Sequence, residues 1–234
     1  VTESSPGLNL TILLHDLKNK LGQIKGNIEL VEMFGPLNDG QANSISRAFG
    51  CMNEMLEAIN MFFNVEDADE RADSAFTTVS WTAIYFEVAS QLEMHARPKD
   101  ITLELIHPSE SIHFEANYMQ CEHILLNLMG NAIKYGRPGG YVHVSTFLDQ
   151  ETSEVVLMVS DNGAGIPEHE LAYVFDRNFR ASNVADSRIE GGGMGLYIVH
   201  EVVEQHDGTI SLASVEGEGT TITIRLPLIQ SLYG

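Results

Sequence analysis

Two apolar stripes dominate the first quarter of the sequence and leave it few folds. Leu10, Leu14, Leu17, Leu21, Ile24, Ile28 and Val31 are spaced 4, 3, 4, 3, 4, 3, the seam of a helix that packs like a coiled coil. Ile45, Phe49, Met52, Leu56, Ile59 and Phe63 repeat the pattern at 4, 3, 4, 3, 4. Between them FGPLNDG (34–40) gathers glycine, proline, asparagine and aspartate, all turn formers. The prediction is an antiparallel helical hairpin. Two helices alone bury two such stripes poorly, whereas two hairpins joined as a four-helix bundle bury both, so a homodimer is expected.

The run NVEDADERADS (64–74) is acidic and without pattern, which reads as an interdomain linker. The division expected is a hairpin over 1–66, a linker over 67–75 and a second domain over 76–234. In that domain FTTV, ITLELI, SIHF, YVHVSTFL, EVVLMVSD, TISLASV and TTITIRLP read as strands. Helices are expected from Trp81 to about Arg97, from about Tyr118 to Tyr135 with Asn117 as N-cap, briefly from Glu168 to Val174, and from about Met194 to His206. The fold class is therefore α+β: a helical hairpin followed by an α/β sandwich, a sheet with helices on one face.

A formal charge of -20 disfavours nucleic acid and anionic membrane as partners, because both need clustered Lys and Arg. No apolar run approaches the roughly 20 residues of a membrane helix, so no membrane contact is expected of this stretch. Opening on Val1 rather than Met fits a piece of a longer chain, with a membranous remainder left open. Cys51 and Cys121 sit within apolar periodic stretches without metal-ligand spacing and read as buried reduced thiols, as in a cytoplasm.

Four segments carry chemistry. In HDLKNKLGQIKG, His15 follows the core position Leu14 and faces outward, with Asp16 adjacent and Asn19 one turn along; an exposed nucleophile and a plain surface histidine look alike here. In CEHILLNLMGNAIKYG, Asn127, Asn131 and Lys134 share one helix face while Leu125, Leu128, Ala132 and Ile133 point inward. Mid-helix asparagines are unfavourable by propensity. Their carboxamide oxygens suit Mg²⁺ and the lysine suits phosphate, though a solvated helix face has the same composition. VSDNGAGIP puts Asp161 at a strand end before a tight glycine turn, able to accept from an adenine amino group or simply to shape the turn. GGGMGLYIV leads from glycines into a helix N-terminus suited to phosphate. Beyond residue 66 five of the nine Lys and Arg are Lys134, Arg137, Arg177, Arg180 and Arg188, which flank these segments and favour a triphosphate.

In this order the four segments resemble the H, N, G1 and G2 boxes of sensor histidine kinases, and VFDRNFRA (174–181) resembles that family's F box. The resemblance implies a dimerisation and histidine-phosphotransfer hairpin and a Bergerat-type ATP-binding domain, with ATP and Mg²⁺ as cofactors. It implies that His15 accepts the phosphoryl group, that Asp16 orients it and takes its proton, and that Asn131, helped by Asn127, holds Mg²⁺. Lys134 and Tyr135 would contact the nucleotide, Asp161 adenine, with Gly163 and Gly165 shaping its floor and Thr220 as a last adenine-side contact. Arg177, Arg180, Gly191, Gly193, Gly195 and Leu196 would lie on the phosphate side, beneath a lid from about Phe179 to Gly191. Asn19 would position a water that dephosphorylates the partner, an aspartate on a response-regulator receiver domain. Lys20 departs from the family's usual proline, implying a straighter first helix, and Met194 replaces a usual leucine. The other histidines, His206 among them, read as surface or helix-face residues. Two readings compete: a phosphotransfer scaffold with a degenerate ATP domain, and an ATPase or serine kinase of the same nucleotide fold.

Overall fold

The computed structural model describes residues 76–106, 112–185 and 193–228 throughout, and in the N-terminal region positions 17, 20–24, 26–28, 31, 35, 38, 40, 41, 44, 45, 48 and 52. The chain forms two compact units, the second beginning at Phe76. His15, Asp16, Asn19, Cys51, Arg188 and Gly191 lie outside the described residues.

In the first unit the described positions from 17 to 31 and from 40 to 52 are helical. Asn38 Oδ1 accepts from the Gln41 N–H at 2.9 Å while Gln41 Oε1 accepts from the Asn38 N–H at 3.1 Å. That reciprocal pair is a capping box, which satisfies two amide groups that a helix start otherwise leaves unpaired. Gly40 therefore belongs to the first turn of the second helix rather than to the connecting turn. Along the first helix Leu21 is buried, whereas Leu17, Ile24 and Val31, seven residues apart, are 43%, 48% and 43% exposed.

The second unit is built on a five-stranded sheet in the order β2-β4-β5-β7-β6. Its strands are β2 (Thr102–Ile106), β4 (Tyr141–Asp149), β5 (Glu154–Asp161), β6 (Thr209–Val215) and β7 (Gly219–Pro227). Only the β2–β4 pair is parallel. Two short strands, β1 (Thr77–Val79) and β3 (Phe114–Ala116), form a separate antiparallel ribbon rather than joining the sheet.

Alternation decides the faces. Val144, Val159 and Ile222 align across β4, β5 and β7, as do Leu157 and Ile224, and all are buried. Three helices cover that side: α1 (Trp81–Ala96), α2 (Tyr118–Tyr135) and α3 (Gly195–Gln205). The opposite side carries polar pairs, including His143 beside Glu104 and Ser160 bonded to Thr221. One layer of helices on one layer of sheet is the expected sandwich.

Helix α2 starts as its sequence directs, with Asn117 Oδ1 accepting from the Gln120 N–H at 3.0 Å. Its end is held by Lys99, whose Nζ donates to the carbonyls of Ile133 and Lys134 at 2.9 and 2.7 Å. The short helix expected after Pro167 is present as a 3₁₀ helix, Glu168–Tyr173. His206 is no surface residue: it is buried at the end of α3, donating from Nδ1 to Val202 O and accepting at Nε2 from the Asn117 N–H. Phe76 packs on its ring at 5.2 Å. Cys121 is buried and free, and burial pushes its thiol up to about 12.

Candidate functional site

Strand β5 delivers Asp161 to the end of the sheet on the face that the helices cover, opposite Val142 on one side and Thr220 on the other. The carboxylate is fixed there, with Oδ1 accepting from the Gly163 N–H at 2.8 Å. Burial raises its pKa above the ordinary aspartate value, and the Gly163 and Thr220 N–H groups pull against that rise without cancelling it. A half-buried carboxylate held by backbone donors is a fixed acceptor. It suits a ligand group that brings hydrogens.

The turn after Asp161 closes on its neighbours. Ala164 N–H donates to Tyr135 O at 3.1 Å, and Asn162 Oδ1 accepts from the Tyr141 N–H at 2.9 Å. The end of α2, the start of β4 and this turn are thereby one unit. Gly163 leaves no room for a side chain, since a Cβ would lie 2.6 Å from Tyr135 O. Gly165, at φ +60, would put one 2.0 Å from Val215 O, and Gly193, at φ +76, would put one 2.2 Å from Phe179 O. Packing of backbone on backbone accounts for the glycine at both positions.

Gly195 differs. A Cβ there would lie 2.7 Å from Asn127 Oδ1 and 3.5 Å from Asn131 Nδ2, so what closes on it is the pair of carboxamides of α2. Asn127 Nδ2 donates to His123 O at 3.0 Å, which turns Oδ1 toward the first turn of α3. Two carboxamides, each able to present an oxygen, beside the amino end of an 11-residue helix are a donor set that fits a hard cation carrying phosphates. Lys134, next along this face, sits 5.3 Å from the Tyr135 ring centroid.

Thus Asp161, Gly163, Gly165 and Thr220 gather at the sheet end, Tyr135 joins them through its carbonyl, and Asn127, Asn131 and Gly195 meet between α2 and α3, with Leu196 next on α3. Arg177 is exposed in the loop after the 3₁₀ helix, and Arg180 donates to Val184 O at 3.3 Å within its own segment. That segment is moored at two points. Glu170 accepts from the Ser182 N–H at 2.9 Å, and Asn183 Nδ2 donates to Gly165 O at 3.0 Å.

Three residues at the site went unread in the sequence. Ser214 Oγ bonds Ile166 N, Gly219 O and Thr220 Oγ1. Asn162 and Asn183 brace the Asp161 turn from either side. Only Ser214 left a signal: in TISLASV the inward positions run Ile210, Leu212, Ser214, a hydroxyl where an apolar residue belongs.

Residues 116–230 match the family of histidine kinase-, DNA gyrase B- and HSP90-like ATPases. The sensor histidine kinase WalK of Bacillus subtilis is 31% identical over 175 residues, 74% of this chain. The sensor protein kinase WalK of Staphylococcus saprophyticus is 30% identical over 218 residues, 91% of this chain. The chain spans only 28% and 35% of the length of those two proteins. Among solved structures, the mycobacterial sensor histidine kinase MprB is 29% identical with a TM-score of 0.58, over 64% of this chain and 97% of that one. Full-length ShkA, crystallised in complex with AMPPNP, shares the fold at 21% identity with a TM-score of 0.66, over 95% of this chain and 46% of that one.

Proposed function

Because the chain belongs to the sensor histidine kinase family of two-component signalling, we propose that it is the autophosphorylating core of such a sensor. In this reading residues 76–234 bind ATP, His15 in the hairpin of 1–66 accepts the γ-phosphoryl group, and 67–75 is the hinge between them. One observation carries the reading: a half-buried Asp161 carboxylate held by backbone N–H groups, on the same domain as two carboxamides closed against the first turn of α3.

Asp161, ionised, accepts an amino hydrogen of adenine, and Thr220 contributes on the same side. Asn131 and Asn127 are the residues to hold Mg²⁺, which when bound offsets the charge of the phosphates. Lys134 and the N–H groups at Gly195 and Leu196 meet phosphate oxygens, with Gly191, Gly193, Arg177 and Arg180 on that side. Asp16 beside His15 keeps the imidazole in the tautomer whose free nitrogen attacks phosphorus, and takes the proton released as the P–O bond to ADP breaks. The phosphoramidate so formed passes its phosphoryl group to an aspartate of a response-regulator receiver domain, and Asn19 positions the water that later removes it.

The exposed row of Leu17, Ile24 and Val31 supports the homodimer, since a second hairpin covers it. No helix among the described residues is long and apolar enough to cross a membrane; the location proposed, as for the sensor kinases it resembles, is the cytoplasmic portion of a larger sensor. Incubation with Mg²⁺ and γ-labelled ATP tests the core of this. Label lost in acid and absent from His15→Ala, with ATP affinity kept, is the expected result. Acid-stable label, or label on His15→Ala, would assign the acceptor elsewhere.

A further inference from the structure

Ser214 has one hydroxyl hydrogen and three polar neighbours. Gly219 O, at 2.8 Å, can only accept, so it takes that hydrogen. The Ile166 N–H, at 2.9 Å, can only donate, so it takes a lone pair. The third contact, 2.9 Å to Thr220 Oγ1, allows either oxygen as donor by distance alone. With the Ser214 hydrogen spent on Gly219, Thr220 is the donor. The Thr220 hydrogen is therefore turned toward Ser214, and Thr220 Oγ1 shows only lone pairs to a ligand beside it.

Register puts Thr220 opposite Asp161 and Ser214 opposite Thr220. The three side chains thus lie in one row across the sheet end, on its inner face. Asp161 in its ionised form also offers only acceptors. We propose that Ser214 is a specificity-determining positioning residue: by holding the Thr220 hydrogen it makes this row an acceptor-only edge that takes a 6-amino purine and rejects a 6-oxo purine. An amino group brings two hydrogens to such an edge. A 6-oxo purine keeps its N1–H for Asp161, but its O6 meets Thr220 lone pairs with no hydrogen between them. Discrimination then turns on a proton that Ser214 withholds. The inference rests on the reading of this pocket as an adenine site.

ATP and ITP differ at this edge of the base, and calorimetry of each against the whole chain in Mg²⁺ tests the idea. The chain should prefer ATP by about 10-fold or more, the worth of one well-made or unmade hydrogen bond. Ser214→Ala frees the Thr220 hydroxyl to rotate and donate to O6, so the ATP-to-ITP ratio should fall by about 10-fold. Any general loosening of the turn weakens both nucleotides and cancels in the ratio. Ser214→Thr keeps the hydroxyl and should restore it. Should Ser214→Ala fail to fold, Thr220→Val decides alone: it should weaken ATP and leave ITP unchanged. An unchanged ratio in a folded Ser214→Ala, equal binding of ATP and ITP by the parent chain, or weaker ITP binding by Thr220→Val would each overturn the proposal. Binding of neither nucleotide by the parent chain would overturn the adenine reading, and this inference with it.

Discussion

Replacing Gly195 by alanine should separate stability from nucleotide use. The new methyl would start 2.7 Å from Asn127 Oδ1, about 0.7 Å inside the 3.4 Å at which ordinary contact begins. The obstacle is the end of a side chain, so Asn127 can turn away, at the cost of its 3.0 Å bond to His123 O. That loss is worth about 1 kcal/mol. Alanine returns up to about 1 kcal/mol through its helix preference over glycine, and less in a first turn. The two nearly cancel, so the expected change in Tm is only about 2–4 °C in either direction. The site does not share in that cancellation. With Asn127 displaced, an oxygen that faced the phosphate side is withdrawn, and loss of a contact to a charged group costs about 1.5–3 kcal/mol, or roughly 10–150-fold in Mg-ATP affinity. Thermal melts paired with ATP titrations, with and without Mg²⁺, read both quantities. Full-strength Mg-ATP binding by a folded Gly195→Ala would remove Asn127 from the site. A fall in Tm beyond about 10 °C would mean that Gly195 serves packing, as Gly165 and Gly193 do.

Asp161→Asn should abolish ATP binding, yet its Tm at pH 7 should not fall, because the buried charge that burial penalises is gone. The sign follows from the raised pKa: the folded chain favours the protonated carboxyl, a contribution fully present below the unfolded value of 3.8 and lost as pH rises through the folded one. ATP affinity, which needs the ionised form, should therefore begin to fall on acidification while still above 3.8, and a profile flat down to 3.8 would contradict this. Ile24→Asp puts a charge in the exposed heptad row and should convert dimer to monomer by light scattering; an unchanged mass would move the interface elsewhere. Asn19→Ala should autophosphorylate and transfer normally but lose most dephosphorylation of the regulator, measured as decay of its phosphorylated form, and undiminished decay would exclude Asn19.

Elements whose cause is local were legible in the sequence. Helix α2 begins and ends where its Asn117 cap and apolar period put it, and β4 and β7 follow their alternation, whereas the apolar run of β5 buries Val155, Val156 and Leu157 in succession. Segments too short for a period were less so. Glu168–Tyr173 holds six residues, and nothing in them distinguishes α from 3₁₀ winding. Side-chain fates set by distant partners were not readable at all. His206 looked like a residue on a helix face because the backbone group it serves, Asn117 N–H, lies 89 positions away. The site divides the same way: Asp161 and the α2 asparagines announced themselves by being polar where packing wanted otherwise, while Asn183 sits in a polar stretch that looks like any loop. The glycines were recognisable but their reason was not, since Gly165 and Gly193 answer to carbonyls of other segments.

The chemistry of the sheet end is a matter of parity. Asp161, Thr220 and Ser214 reach the helix layer because each occupies the inward phase of its strand, while Ser160, Thr221 and Ala213, one step away, occupy the outward phase. One residue inserted or deleted within Glu154–Asp161 would leave a strand able to form a full ladder of hydrogen bonds, yet bring the wrong phase inside at that end. Two residues would restore it. An odd change in the length of this strand, unless a bulge absorbs it, would thus turn the carboxylate away from the helix-facing side without altering a single side chain there.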